Sequence, residues 1–284
     1  LYVFILSAAA VLAAAAACVD AWRFMGIWTG RIRIGRWRDR RAWQDALARK
    51  AAAWLKRMPA VPKKDQGRLV LWDMLRGAYA DAAIQGWQLG GLSLGLNAYA
   101  GDRNDGGLKE KLRDALGRHE LVVNYLEREN PGTWEVDRML LDYAVLEAGC
   151  GGEDRLMEKS LAFLESLKTE AGTLAYRRGQ PAVRYVGTIG LACPLAAACA
   201  ARTGREEYWN LAARQVEEYD AALLAGSSFP AHGFEMDRGY PLGLYDWSRG
   251  IGWYALGLCE LYRLMEAHGR PEAGAMAKRI VSLS

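Results

Sequence analysis

Ala201-Arg202-Thr203-Gly204-Arg205 closes one apolar helical run, Ile189 to Ala201, and opens the next, Tyr208 to Leu224. A Gly just past the last periodic residue is a helix C-cap signal, because it takes a left-handed backbone without steric cost, and the polar residues after it start a new helix. The same punctuation recurs at Ala98-Tyr99-Ala100-Gly101-Asp102, from Glu147-Ala148-Gly149 to Asp154, and at Glu266-Ala267-His268-Gly269-Arg270. An interval of about fifty residues suits one helical hairpin, so the recurrence predicts hairpins stacked side by side. Hairpins whose inner helices are buried on both flanks make an α/α toroid.

The runs between these stops agree. Trp43 to Met58, Leu108 to Leu126, Val136 to Glu147, Leu156 to Leu167 and Ile251 to Met265 all repeat apolar residues at intervals of three and four,. Strand-like alternation is scarce, the one candidate being Gly172 to Tyr185, where Arg177-Arg178-Gly179-Gln180-Pro181 is suited to a short hairpin or an ordered loop,. From Leu69 to Ser284 the pattern provides about four hairpins.

A hydrophobic share of 51% supplies a core, and the net charge of +4 is unevenly placed,. Arg31, Arg33, Arg36, Arg38, Arg40 and Arg41 cluster just after Leu1 to Val19, a stretch without charge and rich in Ala, Leu and Val. That stretch is about the 20 residues a bilayer-spanning helix needs, so the arginines are expected to flank a membrane rather than bind nucleic acid. A signal peptide is the alternative, with Ala15-Ala16-Ala17-Cys18 resembling a lipoprotein cleavage site, and a buried Ala-rich helix is a third reading,. The position of the basic cluster, on the C-terminal side of the apolar stretch, favours an anchor. The positive-inside rule then puts the globular part in the cytoplasm, whereas the alternative makes it exported or lipid-anchored. The expected organisation is an apolar helix over 1–22, a basic juxtamembrane segment over 23–64 and a barrel over 65–284. Cys18, Cys150, Cys193, Cys199 and Cys259 contain no C-x-x-C pair, so burial in helices is expected of them rather than metal binding or disulfides,.

The residues that carry chemistry concentrate in Tyr245-Asp246-Trp247-Ser248-Arg249-Gly250-Ile251-Gly252-Trp253-Tyr254. Two Gly at the head of a helix weaken it and leave backbone N–H groups approachable, while Arg249 offers a planar fork that matches a carboxylate. Flanked by Trp247 and Trp253, this group suits a flat, anionic ligand such as an acidic sugar. The competing readings are an ion pair of Arg249 with Asp246 or Asp237, and core roles for the two Trp.

The run Trp247 to Tyr254 resembles the W-x-R-G-x-G-W signature of the unsaturated glycuronyl hydrolases, glycoside hydrolase families 105 and 88. Tyr185-Val186-Gly187-Thr188-Ile189-Gly190-Leu191-Ala192-Cys193-Pro194, with Leu195 after it, is similar to a second family segment, and His232-Gly233 to the family's His-Gly loop. The likeness covers roughly residues 70 to 270. It implies a six-hairpin α/α barrel, which the four or so hairpins counted above would leave incomplete at the C-terminus, and hydration-type hydrolysis of an unsaturated uronic acid at the end of an oligosaccharide. No metal or organic cofactor is implied. The partners expected are an acidic oligosaccharide and, through the N-terminal helix, a membrane.

The resemblance gives Arg249, Trp247, Trp253 and Tyr185 substrate-binding roles and His232 and Asp137 catalytic ones. Asp137 lies in Trp134-Glu135-Val136-Asp137-Arg138-Met139-Leu140-Leu141-Asp142, where a helix-start carboxylate favoured by the helix dipole is the competing reading; Asp142 is a weaker candidate,. At the position of the family's catalytic Asp this chain has Gly187. Three accounts stand open: Asp137 alone transfers the proton, the chain binds acidic saccharides without turnover, or the acid lies elsewhere.

Overall fold

In a computed structural model, residues 1–30, 39–56, 58, 61–62, 71, 75–76, 81–82, 84–127, 136–223, 229–243 and 247–283 are described. They fall into two compact units, Leu1–Gln85 and Gly86–Ser284. The first holds α1 (Tyr2–Gly30), α2 (Arg40–Lys56) and a two-residue antiparallel pair, β1 (Val61–Pro62) with β2 (Asp81–Ala82). Over Tyr2–Trp22, α1 is long and apolar enough to cross a membrane, a property it shares with signal sequences,. Most of the side chains over Tyr2–Trp22 stand exposed, Phe4 and Leu12 among them. Arg31, Arg33, Arg36 and Arg38 lie outside the described residues.

The second unit is a row of helical hairpins. Its helices are α3 (Gly86–Asp102), α4 (Gly106–Arg118), α5 (Glu120–Glu127), α6 (Met139–Ala148), α7 (Glu153–Leu167), α8 (Gly187–Leu191), α9 (Cys193–Thr203), α10 (Glu206–Leu223), α11 (Ser248–Ala267) and α12 (Ala273–Ser282). Packing runs α3 to α6, α6 to α9 and α9 to α11, and each of these is also covered by the helix that follows it, α4, α7, α10 and α12. The inner row is therefore α3, α6, α8–α9 and α11, with the others outside. Sequence follows this division. Every residue of α6 from Met139 to Leu146 is buried, whereas α7 buries only the stripe Leu156, Met157, Ser160, Leu161, Phe163, Leu164 and Leu167, as a helix with one wet face must,.

Small residues let the inner helices touch backbone to backbone. A Cβ on Gly90 would stand 2.8 Å from the Leu140 carbonyl, and one on Gly257 would stand 2.6 Å from the Ile189 side chain. Gly190 meets the Trp253 carbonyl in the same way. The last two contacts lock α8 against α11 and so fix where the Trp253 indole lies.

Gly149 and Gly204 cap α6 and α9 in the left-handed region, at φ 69° and 71°. Gly101 does not act as a cap: α3 continues to Asp102 and Asn104 takes the positive φ of 52°. The Leu108 to Leu126 run breaks at His119, and the Ile189 to Ala201 run is divided at Ala192. Of the two readings of 172–185, hairpin or ordered loop, the structure has the loop, and its last three residues pair at long range instead of within the segment. β3 (Val183–Tyr185) joins a three-stranded antiparallel sheet with β4 (Gly233–Glu235) and β5 (Tyr240–Leu242), in the register Tyr185 to Gly233 and Gly233 to Leu242. Cys193 and Cys199 are buried in α9, but Cys18 and Cys259 are exposed, against the expectation of burial.

Candidate functional site

The inner helices bring their chemistry to one end, the end where they begin. Trp87 is in the first turn of α3, Asp137 in the 3-10 turn Val136–Arg138 that leads into α6, Gly187 opens α8, and Trp247 and Arg249 begin α11. Trp247 supplies no side-chain cap to α11. The first N–H groups of that helix and its dipole therefore favour an anion nearby.

A continuous line of contacts joins the residues. The Arg249 guanidinium lies over the Trp247 ring at 4.6 Å. The Trp247 ring is 4.3 Å from that of His232, and His232 is 5.2 Å from Tyr185. Tyr185 meets Tyr176 edge to face at 5.3 Å, and the Tyr176 hydroxyl donates a hydrogen bond to Asp137 Oδ1. On the other side Trp253 meets Trp87 edge to face at 5.4 Å, and a Cβ on Gly187 would stand 3.8 Å from the Trp253 ring and 4.0 Å from that of Tyr176. All seven residues singled out from sequence, Asp137, Tyr185, Gly187, His232, Trp247, Arg249 and Trp253, thus lie in one connected neighbourhood. Tyr245 and Asp246 lie outside the described residues.

Local backbone chemistry explains why these residues meet. The sheet pairing sets Tyr185 opposite Gly233, and the Val186 N–H donates to the His232 carbonyl at 3.0 Å. A Cβ on Gly233 would stand 2.8 Å from the Tyr185 ring, so the glycine after His232 is what allows that ring to cross the strand,. Gly250 does the same for the Trp247 indole, 2.9 Å from where a Cβ would be. Gly187 differs. Its Cβ would meet only ordinary van der Waals contacts, the nearest being Leu191 at 3.5 Å, so the site tolerates a side chain that the sequence does not provide.

The charged groups of this neighbourhood are the Arg249 guanidinium and the Asp137 carboxyl. Arg249 is exposed, and among the described residues no carboxylate pairs with it. Burial, and then the Arg249 charge, hold the His232 imidazole below the ordinary histidine value, so it is neutral at physiological pH,. Asp142 stands apart from this end's chemistry: it is fully buried, accepts from Arg138 Nε at 3.2 Å and from Ser160 Oγ at 3.0 Å, and ties α6 to α7.

Sequence reasoning missed Tyr176 and Trp87. Tyr176 lies in an irregular segment with no periodicity to flag it. Trp87 repeats the rule visible at Trp247, an aromatic at the start of an inner helix, but it belongs to α3, whose Gly-rich start hid the helix.

No protein-family model and no curated protein matches the sequence. Solved structures do match. A possible member of glycoside hydrolase family 105 from Salmonella enterica superposes with a TM-score of 0.62 at 14% identity, over 88% of this chain and 67% of that one. An α-1,6-mannanase of a Salegentibacter species, in complex with α-1,6-mannotriose, gives 0.57 at 12% identity over 84% and 69%. An unsaturated glucuronyl hydrolase from Streptococcus agalactiae gives 0.52 at 17% identity over 84% and 63%. The chain thus spans about two thirds of the length of these proteins, and its hairpins have the (α/α)6 fold of six-hairpin glycosidases.

Proposed function

We propose that the protein is a glycosidase-type hydrolase that hydrates the enol-ether double bond of an unsaturated uronic acid at the end of an oligosaccharide. The observation that carries this reading is Arg249, an exposed cation without a carboxylate partner among the described residues, stacked on Trp247 and linked by unbroken ring contacts to Asp137. A cation fixed on an indole and left open to solvent is arranged to receive an anion from outside.

In this scheme Arg249 holds the sugar carboxylate, and Trp247, Trp253 and Tyr185 offer flat faces to the ring. Asp137 gives its proton to C4, the positive charge that develops at C5 is met by water, and the proton released by that water returns to Asp137. The hemiketal formed at C5 opens to a ketone and leaves a hemiacetal at C1, whose collapse to an aldehyde breaks the C1–O bond and releases the rest of the oligosaccharide as its alcohol. Neutral His232 is suited to accept a hydrogen bond from the attacking water. Gly187 forms part of the floor beneath.

Gly187 also favours a second reading, a protein that binds acidic saccharides without turning them over. Near-ultraviolet absorbance separates the two, because the conjugated double bond absorbs and its hydrated product does not. Loss of absorbance from an unsaturated glucuronyl disaccharide is expected of the hydrolase. Saturable binding with the absorbance intact would establish the binder instead. Either activity is held at a membrane by α1 in this reading, with the basic residues after it on the cytoplasmic side and imported lyase products as the substrate source.

A further inference from the structure

Asp137 is the one carboxylate in the connected neighbourhood described above, among the described residues, and its setting is asymmetric. Oδ1 accepts the Tyr176 hydroxyl, while no hydrogen bond to Oδ2 is made by any described residue. The tyrosine that makes this contact is itself firmly held. Two residues before it, the Leu174 N–H donates to Gln215 Oε1 at 2.6 Å and the Leu174 carbonyl accepts from Gln215 Nε2 at 3.4 Å. Gln215 is fully buried on α10 and spends its amide on that one residue. The Ala175 N–H donates to the Leu167 carbonyl at 2.9 Å, and the Tyr176 ring rests edge-on against Tyr185. A buried amide that satisfies both backbone groups of a neighbouring segment holds that segment in place, which is what a group aimed at a reacting carboxyl requires.

We infer that Tyr176 is a positioning residue for Asp137: its hydroxyl pins Oδ1 and turns Oδ2 toward the sugar as the atom that gives and regains the proton. The inference rests on the hydrolase reading and adds a residue that the family resemblance did not supply. The Tyr176 ring is also 4.0 Å from where a Cβ at Gly187 would be. With no side chain at 187 to brace that side of the site, the phenol is the group that holds the remaining carboxyl in one orientation. The proton balance is closed on Asp137 alone: it leaves Oδ2 for C4 and returns to Oδ2 from the water that attacks C5. Tyr176 keeps its own proton throughout.

The test is Tyr176→Phe in the full chain, which keeps the ring and its contact with Tyr185 and removes only the hydroxyl. With an unsaturated glucuronyl disaccharide as the probe, kcat is expected to fall about 10- to 100-fold, the range for losing a hydrogen bond to an ionisable group, while KM stays within about twofold. The variant should melt at the wild-type temperature, and adding Tyr176→Phe to Asp137→Asn should cost nothing further. A kcat equal to wild type overturns the role. So does a parallel loss of kcat, affinity and melting temperature, which would make the hydroxyl a structural strut. A wild-type chain that leaves the absorbance intact removes the hydrolase reading first and this role with it, so the two failures are told apart by the wild-type control.

Discussion

The inner helices of the second unit end in opposite ways. At their C-terminal ends the charges are paired with one another. The Tyr143 hydroxyl donates to Glu260 at 2.5 Å, Arg263 donates to Tyr143 at 2.7 Å and to Glu147 at 2.5 Å, and Arg202 and Asn97 donate to the last carbonyls of α6. Burial and the carboxylates of Glu260 and Glu147 push the Tyr143 hydroxyl far above the ordinary tyrosine range, so it remains a neutral donor within that net,. At their N-terminal ends the same helices hold one closed pair, Arg138 with Asp142, but beside it they present rings, the Asp137 carboxyl and, in Arg249, a cation with no carboxylate partner among the described residues. A closed network holds helices together and has nothing left over for a ligand, whereas an open one has binding capacity in reserve. The difference between the two ends is that pairing is left incomplete at the one where the saccharide site is proposed.

Substitutions at the two ends should therefore separate activity from stability. Asp137→Asn is expected to have the largest effect, lowering kcat by about 10²- to 10⁴-fold, the span of general acid–base catalysis, with little change in melting temperature. Arg249→Ala should cost about 100-fold in kcat/KM, and Arg249→Lys should recover only part of it, since a point charge cannot form the planar fork. Steady-state rates from the absorbance loss check both. Gly187→Asp sharpens the comparison from the other side. The position has room for a side chain, so the variant should fold normally and raise turnover by about tenfold if a second carboxyl there assists the proton transfer,.

At the opposite end Arg263→Ala should lower the melting temperature by about 2–4 °C, as expected for a loss near 1 kcal/mol in a unit of this size, and leave saccharide affinity unchanged. Calorimetry paired with binding tests that contrast directly; a loss of affinity without a loss of stability would break it. The smallest effect is on pH. His232 has a lowered pKa when folded, so as pH falls the unfolded chain takes up that proton first. Its contribution to stability is complete above the ordinary histidine value and declines as pH falls from there through the lower folded value,. His232→Gln should flatten that decline in melting curves taken as pH falls below the ordinary histidine value,.

Much of this was legible in the sequence because it is written in local code. The left-handed caps at Gly149 and Gly204 and the stripe of α7 follow from residues three and four apart, and the hairpin repeat follows from them. Trp247 and Arg249 are near neighbours in sequence, so their stacking also had a local signal. The rest depends on contacts between distant segments. The sheet that sets Tyr185 across from Gly233 joins residues about fifty positions apart, and no alternation marks its three-residue strands. Tyr176 reaches Asp137 across 39 positions from a segment whose conformation is fixed by Gln215, 41 positions further on. Propensity and periodicity carry no information about such pairs. The close crossing at Gly190 and Gly257 is a similar case, in which glycines that weaken a helix in isolation let two helices meet,.

The account turns on an anionic sugar being recognised at the open end. The most direct measurement is the affinity of the full chain for an unsaturated glucuronyl disaccharide against the same disaccharide with its carboxylate reduced to an alcohol, in wild type and in Arg249→Ala, followed by tryptophan fluorescence. The expected result is binding of the acid at least about tenfold tighter than the alcohol in wild type, with that preference erased by the substitution. Equal affinities for the two sugars, or a preference that survives the loss of the guanidinium, would contradict it.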